Sequence, residues 1–177
     1  EIAGNGKDDD GNGFIDDVHG WDFANDDNDP FDDNSHGTHC AGTIGGVGNN
    51  GKGVVGVCWN VSMVGIKFLD SSGSGSGSDA VKSVAYATKI GVRFTSNSWG
   101  GGGASSSLKK VIEDAGKKGI SFIAAAGNHR GDNDRDPSYP ASYDLENVIA
   151  VGAHSNTGKS ASFSCYGKKS VDLFAPG

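Results

Sequence analysis

Apolar residues in this chain fall into short runs separated by glycine, serine and aspartate, a pattern that predicts several brief strands and helices. Val61 to Phe68 reads as a buried strand. After the glycine-serine stretch 73–77, the residues Asp79 to Ile90 place Val81, Val84, Ala85 and Thr88 on one helical face, with Ser78 as the N-cap. Val92 to Ser96 is a second strand. From Ser105 to Lys118, the residues Leu108, Val111, Ile112 and Ala115 recur at helical spacing, and Gly119 supplies a stop signal. Ile120 to Ala126 is apolar throughout, and Val148 to Ala153 is a last strand after a loop rich in Asp, Pro and Tyr. Strand and helix alternate in the order that makes a mainly parallel sheet with helices on both faces, so the expected fold class is α/β.

At 177 residues the chain has the length of one domain, and its 35% hydrophobic and 21% charged residues describe a globular protein without a membrane-spanning run. The formal charge of −7 gathers near the N-terminus, which disfavours nucleic acid and favours cations. Cys40, Cys58 and Cys165 show no paired spacing, and an odd count cannot complete a disulfide framework. The 30 glycines change the picture more, because they cluster. Gly73-Ser74-Gly75, Gly100 to Gly103 and Gly127-Asn128 each follow the carboxyl end of an expected strand, and parallel strands would put these loops on one sheet edge, where open α/β sheets bind ligands. A dinucleotide fingerprint would need a third glycine where Ser78 stands, and no phosphate-loop lysine follows, so nucleotide binding is the weaker reading.

The most specific stretch is Asn34-Ser35-His36-Gly37-Thr38-His39-Cys40-Ala41-Gly42-Thr43-Ile44, followed by Asn97-Ser98-Trp99-Gly100-Gly101, Ala124-Ala125-Ala126-Gly127-Asn128, Ser138-Tyr139-Pro140 and Ala161-Ser162-Phe163-Ser164. In order and spacing these motifs resemble the subtilisin-like serine proteases over almost the whole chain. Histidines at i and i+3 could also suggest a metal pair, but Gly37 stands where a zinc protease needs its glutamate.

The resemblance implies a three-layer subtilisin-like fold and a broad-specificity serine endopeptidase in which His36, at the start of a helix over 37–45, is the general base. It makes Asn128 the donor to the oxyanion. Ser98, Trp99 and Gly100 on one side, and Gly73, Ser74 and Gly75 on the other, would hold an extended polypeptide substrate through its backbone. Ala125, Ala126 and Gly127, with Ser138, would line the first specificity pocket, whose small walls suit a large apolar side chain. Tyr139-Pro140 matches a position where the family's peptide bond is cis. His39 is assigned to packing, and Cys40, one helical turn beneath His36, to buried filler.

Asp8-Asp9-Asp10-Gly11-Asn12-Gly13-Phe14-Ile15-Asp16-Asp17 repeats oxygen donors at alternate positions with a glycine at the sixth, like the first half of an EF-hand loop. Asp8, Asp10, Asn12, the Phe14 carbonyl, Asp16 and Asp17 are the expected ligands of a structural calcium ion. The twelfth position is His19 rather than Glu, so closure falls to Asp16 or Asp17. Residues 1–33 thus read as an acidic calcium-binding insertion and loop, and 34–177 as the core.

The family's nucleophilic serine and its catalytic aspartate have no counterpart here: no serine lies in a Gly-Thr-Ser-like context and no aspartate in an Asp-Ser-Gly-like one. Both ends therefore read as cut, and the 177 residues alone are expected to be inactive. The resemblance further implies secretion, an inhibitory propeptide, a monomer, and no nucleic-acid or membrane partner. A second class of reading keeps the fold without the chemistry: a calcium-dependent peptide-binding module or pseudoprotease.

Overall fold

A computed structural model describes all 177 residues, which divide into two compact units, Glu1–Ser83 and Val84–Gly177. In the first unit, β1 (Gly20–Asp22) pairs in parallel with β2 (Gly65–Lys67). Their meeting demands glycine: at Gly20, with φ of 120°, a Cβ would stand 1.8 Å from the Gly65 carbonyl oxygen. In the same register Asp22 faces Lys67, and their side chains form an ion pair at 2.8 Å with Asp22 1% exposed. Burial alone would raise the Asp22 carboxyl, but the bond from Lys67 and the amides of Asn25 and Ala24 outweigh it and hold it below the usual range. The edge-on rings of Phe14 and Trp21, with centroids 4.9 Å apart, and of Phe14 and Phe23, at 5.7 Å, form a small aromatic cluster beside this pair.

Val61 to Val64, expected in a buried strand, lies outside β2 and is exposed. Pairing with a three-residue partner sustains only three residues of strand, so the apolar pattern ran past the hydrogen-bonded segment. Between the two strands lies α1 (His36–Gly45), which contains no buried residue.

Helix α2 (Gly77–Lys89) begins two residues before the expected start. Its cap is Ser76, whose Oγ accepts from the Asp79 amide at 3.1 Å and donates to Asp79 Oδ2, rather than Ser78. Ala80, Ser83, Val84, Tyr86 and Ala87 are buried while Ala85 is exposed, so the buried stripe is rotated from the expected one.

The second unit is built on a four-stranded all-parallel sheet of β3 (Phe94–Asn97), β4 (Ser121–Ala125), β5 (Val148–His154) and β6 (Leu173–Pro176), in that spatial order. The crossover helix α3 (Ser106–Lys117) buries Leu108, Ile112 and Ala115 and packs on β4, as its spacing predicts. Ser105 Oγ accepts from the Leu108 amide at 3.2 Å, and Gly119, with φ of 81°, ends the helix in the left-handed region. Asn147 donates to the carbonyls of Ile112 and Ile120, stapling the exit of α3 to the entry of β5. Phe122, Ala124, Ala150 and Ile112, each at most 1% exposed, form the centre of the core. The α/β class and the parallel sheet are as expected.

Candidate active site

Because β3 and β4 run in parallel side by side, the loops leaving their carboxyl ends share one edge of the sheet. Asn97, 7% exposed, fixes the first exit by donating across the strands to the Ile123 carbonyl at 3.0 Å. At this edge a cavity of about 430 Å³ opens. One wall is Ser98, Trp99 and the glycines 100–102, and the facing wall is Ala125, Gly127 and Asn128. The segment Pro137, Ser138 and Tyr139 closes the space, where the Tyr139 carbonyl accepts from the Gly101 amide at 3.3 Å. The Tyr139-Pro140 bond is cis, as expected. The Trp99 ring stands edge-on to Phe122 at 6.2 Å, anchored on the sheet core, and Tyr139 packs on Tyr143 at 4.6 Å.

Asn128 is exposed on the cavity lip, and no protein group engages its carboxamide. Its loop is held from behind. The Gly127 carbonyl accepts from the Cys165 amide at 2.9 Å, the Arg130 amide donates to the Phe163 carbonyl at 2.9 Å, and the Tyr166 amide donates to the Gly131 carbonyl at 3.0 Å. Asn133, 1% exposed, donates its side-chain amide to the Ala126 carbonyl at 2.8 Å. The fully buried Cys165 thiol lies 3.3 Å from Nδ1 of His129, the residue after Asn128. Ala126 sits behind the wall with Cys165 and Val171. The Asn128 loop is thus an exposed tip on a base held by backbone hydrogen bonds and by the Asn133 side-chain amide.

In the first unit, His36 opens α1 and is exposed. Ser35 makes no side-chain cap. Asp32 does that work: its Oδ1 accepts from the amides of Asn34 and Ser35, both at 3.0 Å, and its Oδ2 from the amide and hydroxyl of Thr38, at 2.7 and 2.6 Å. These bonds, led by the Thr38 hydroxyl, hold the Asp32 carboxyl far below the ordinary carboxylate range. Cys40 Sγ lies 4.0 Å from His36 Nε2, one turn away as expected, but it is half-buried rather than buried. His39, assigned to packing, is exposed; with no buried residue on α1, there is no core for it to enter.

The loop Gly73-Ser74-Gly75 also belongs to this unit. Asp70 shapes it, accepting from the Ser72 hydroxyl and from the amides of Ser72 and Ser74, contacts that lower its carboxyl. A Cβ at Gly75 would come within 2.4 Å of the Phe68 carbonyl, so the turn requires glycine there. Asn34 donates to the Ser71 carbonyl at 2.8 Å, tying the approach to His36 directly to this loop.

At the N-terminus, Asp8 accepts from the amides of Asn12 and Gly13, Asp10 from Asn12, and Asn12 Oδ1 from Phe14, at 2.7 to 3.0 Å. The resulting turn brings carboxylate oxygens of Glu1, Asp8 and Asp10 within 4.8 Å of one another. Oxygen donors at that separation suit a hard divalent cation. Asp16 instead accepts from the amides of Asn5 and Gly6, and Asp17, 7% exposed, accepts from the Asn12 amide group at 2.8 Å. Glu1 had no place in the sequence pattern, because its approach depends on a return of the chain. No helix of the protein is long and apolar enough to cross a membrane.

Of the residues expected at the site, the structure brings Ser98, Trp99, Gly100, Ala125, Gly127, Asn128 and Ser138 around one cavity. It joins His36 to the 73–75 loop through Asn34, within the other unit. Sequence reasoning missed Asp32, His129, Asn133 and Asp136. A cap-type residue shortly before a helix was a usable signal for Asp32; nothing local marks Asn133 or Asp136, whose roles arise from the path of the 129–139 loop.

The model of the family described as the subtilase family, Peptidase S8, matches residues 1–177. Thermitase of Thermoactinomyces vulgaris is 39% identical over 160 residues, covering 90% of this chain and 55% of that protein. Subtilisin DY of Bacillus licheniformis is 43% identical over 147 residues, covering 82% of this chain and 52% of that protein. Among solved structures, a cold-adapted subtilisin-like serine proteinase superposes with a TM-score of 0.77 at 37% identity, over 89% of this chain and 54% of that one. The chain thus spans about half the length of the curated relatives it matches.

Proposed function

The chain belongs to the subtilase family, and on that premise we propose that the full-length protein carrying it is a serine endopeptidase that cuts extended polypeptides with tolerance for many sequences. His36 is the general base: it takes the proton of a serine hydroxyl as the oxygen attacks the scissile carbonyl, then delivers that proton to the departing amine. The carbonyl oxygen becomes negative in the tetrahedral intermediate, and Asn128 donates a hydrogen bond to it. The serine and the aspartate that orients His36 come from sequence outside these residues. Ser98 to Gly100 hold the extended substrate through its backbone, Gly73 to Gly75 are a second substrate-binding segment, and the cavity takes the side chain before the cut.

The observation that carries this reading is the unengaged carboxamide of Asn128 on the lip of a cavity, with a rigidly bonded loop beneath it. A preorganised donor of this kind costs no rearrangement when charge develops. Glu1, Asp8 and Asp10 would hold a calcium ion that cross-links the N-terminal loop and takes no part in the reaction. The protein is secreted, monomeric and made with an inhibitory propeptide, in keeping with the family.

The test is a fluorophosphonate label and a casein assay on the full-length protein. Wild type should be labelled and cleave; Asn128→Ala should keep the fold and lose about 10²–10³ in kcat, the cost of removing one oxyanion donor in a subtilisin. A protein that binds peptides but is neither labelled nor active is the noncatalytic peptide-binding module instead.

A further inference from the structure

Two ionisable side chains that the sequence motifs did not mark, His129 and Asp136, line the cavity beside Asn128. Asp136 is held by its backbone, its amide donating to the Asp132 carbonyl at 2.9 Å. Its carboxylate has no hydrogen bond and no ion pair. The nearest cation in sequence is already committed: Arg135 Nε lies 3.4 Å from Asp132 Oδ2. The remaining lining residues carry no charge: Trp99, Tyr139, Ala125, Pro137, serines and glycines among them. A cavity of about 430 Å³ lined by two aromatic residues and by an exposed, unpaired carboxylate fits a side chain with an apolar stem and a cationic head.

We propose that Asp136 is a specificity-determining residue that makes this cavity prefer lysine or arginine as the residue before the cut. The inference rests on the protease reading for its assay, and it departs from the large apolar preference that small walls alone imply. A norleucine side chain would fill the same stem but leave the carboxylate without a partner, so lysine and norleucine differ only in the interaction at issue. His129 and Tyr139 are the other ionisable residues lining the space.

The experiment compares kcat/KM of the full-length protein on Ala-Ala-Pro-X-p-nitroanilides with X as lysine, norleucine or glutamate. Lysine should exceed norleucine in wild type. Asp136→Asn should lower the lysine-to-norleucine ratio about fivefold, the worth of a solvent-accessible ion pair. Asp136→Glu should restore it, and Asp136→Lys should shift preference towards glutamate. A ratio unchanged by Asp136→Asn overturns the assignment, whereas a purely structural role would lower all three substrates together and also overturns it. Fluorophosphonate labelling reports the nucleophile independently of the cavity, so a failed protease reading is seen separately. In that case, calorimetric binding of the matching Ala-Ala-Pro-X amides decides the same preference: tighter lysine binding that is lost in Asp136→Asn supports it, and equal binding overturns it.

Discussion

Asp32 fastens the start of the helix that carries His36, and it does so with four hydrogen bonds to one carboxylate. Three of the donors are backbone amides of the turn and of the first helical turn and the fourth is the Thr38 hydroxyl, so the ionised carboxylate does the work of an N-cap that Ser35, at φ of 82°, does not. Its pKa in the folded protein lies well below that of an unfolded aspartate, so its contribution is fully present above about pH 4 and fades as pH falls towards the folded value. Asp32→Ala should therefore cost about 1 kcal/mol at neutral pH. The gap to wild type should stay constant down to about pH 5 and narrow below pH 4. Denaturant midpoints across that range, with hydrogen exchange at the Thr38 amide, test it; a gap independent of pH would mean that packing, not charge, is the contribution of Asp32.

Among elements, α3 was the most legible in the sequence. Leu108, Ile112 and Ala115 at helical spacing, a serine before and a glycine after, all agree on the same element, so local signals sufficed. Ser105→Ala should remove the one side-chain cap of that helix and lower stability by about 1 kcal/mol without altering its register, read as a shifted denaturant midpoint with unchanged slope. Where signals competed, the sequence misled. Both Ser76 and Ser78 precede Asp79, and only the path of the 70–75 turn decides that Ser76 faces the free amide. The run Val61 to Phe68 has the composition of a buried strand, but a strand extends only as far as its partner, and β1 offers three residues. β1 itself was invisible, since Gly20-Trp21-Asp22 has no alternation and owes its place to Gly65.

On the scale of the whole molecule, the glycine loops and the motifs around His36 and Asn128 were readable because each is contiguous. The walls that give the cavity its charge were not, because Asp136 reaches it through a loop whose course is set by distant bonds. Asp134 accepts from the amides of Lys168, Lys169 and Ser170, and Asn133 is clamped by the Tyr166 carbonyl. The N-terminal acidic loop has the same character. Its alternating oxygens were legible, yet Glu1 enters the cluster only through folding, its Oε1 accepting the amides of Asp9 and Asp10. Carboxylates of Glu1, Asp8 and Asp10 within 4.8 Å of one another repel, so a calcium ion held between them would order the loop. With a dissociation constant of about 10⁻⁴–10⁻³ M, ordinary for sites that work outside cells, 10 mM calcium should stabilise the protein by about 1.4–2.7 kcal/mol. Thermal melts in calcium, magnesium and chelator should show that gain for calcium alone. Asp8→Ala and Asp10→Ala should each abolish it, and proteolysis within residues 1–17 should accelerate in chelator for wild type only. An equal response to magnesium, or a gain that survives Asp8→Ala, would assign the cluster to ordinary surface acidity, because Asp8 supplies one of the three clustered carboxylates and also holds the turn through the Asn12 and Gly13 amides.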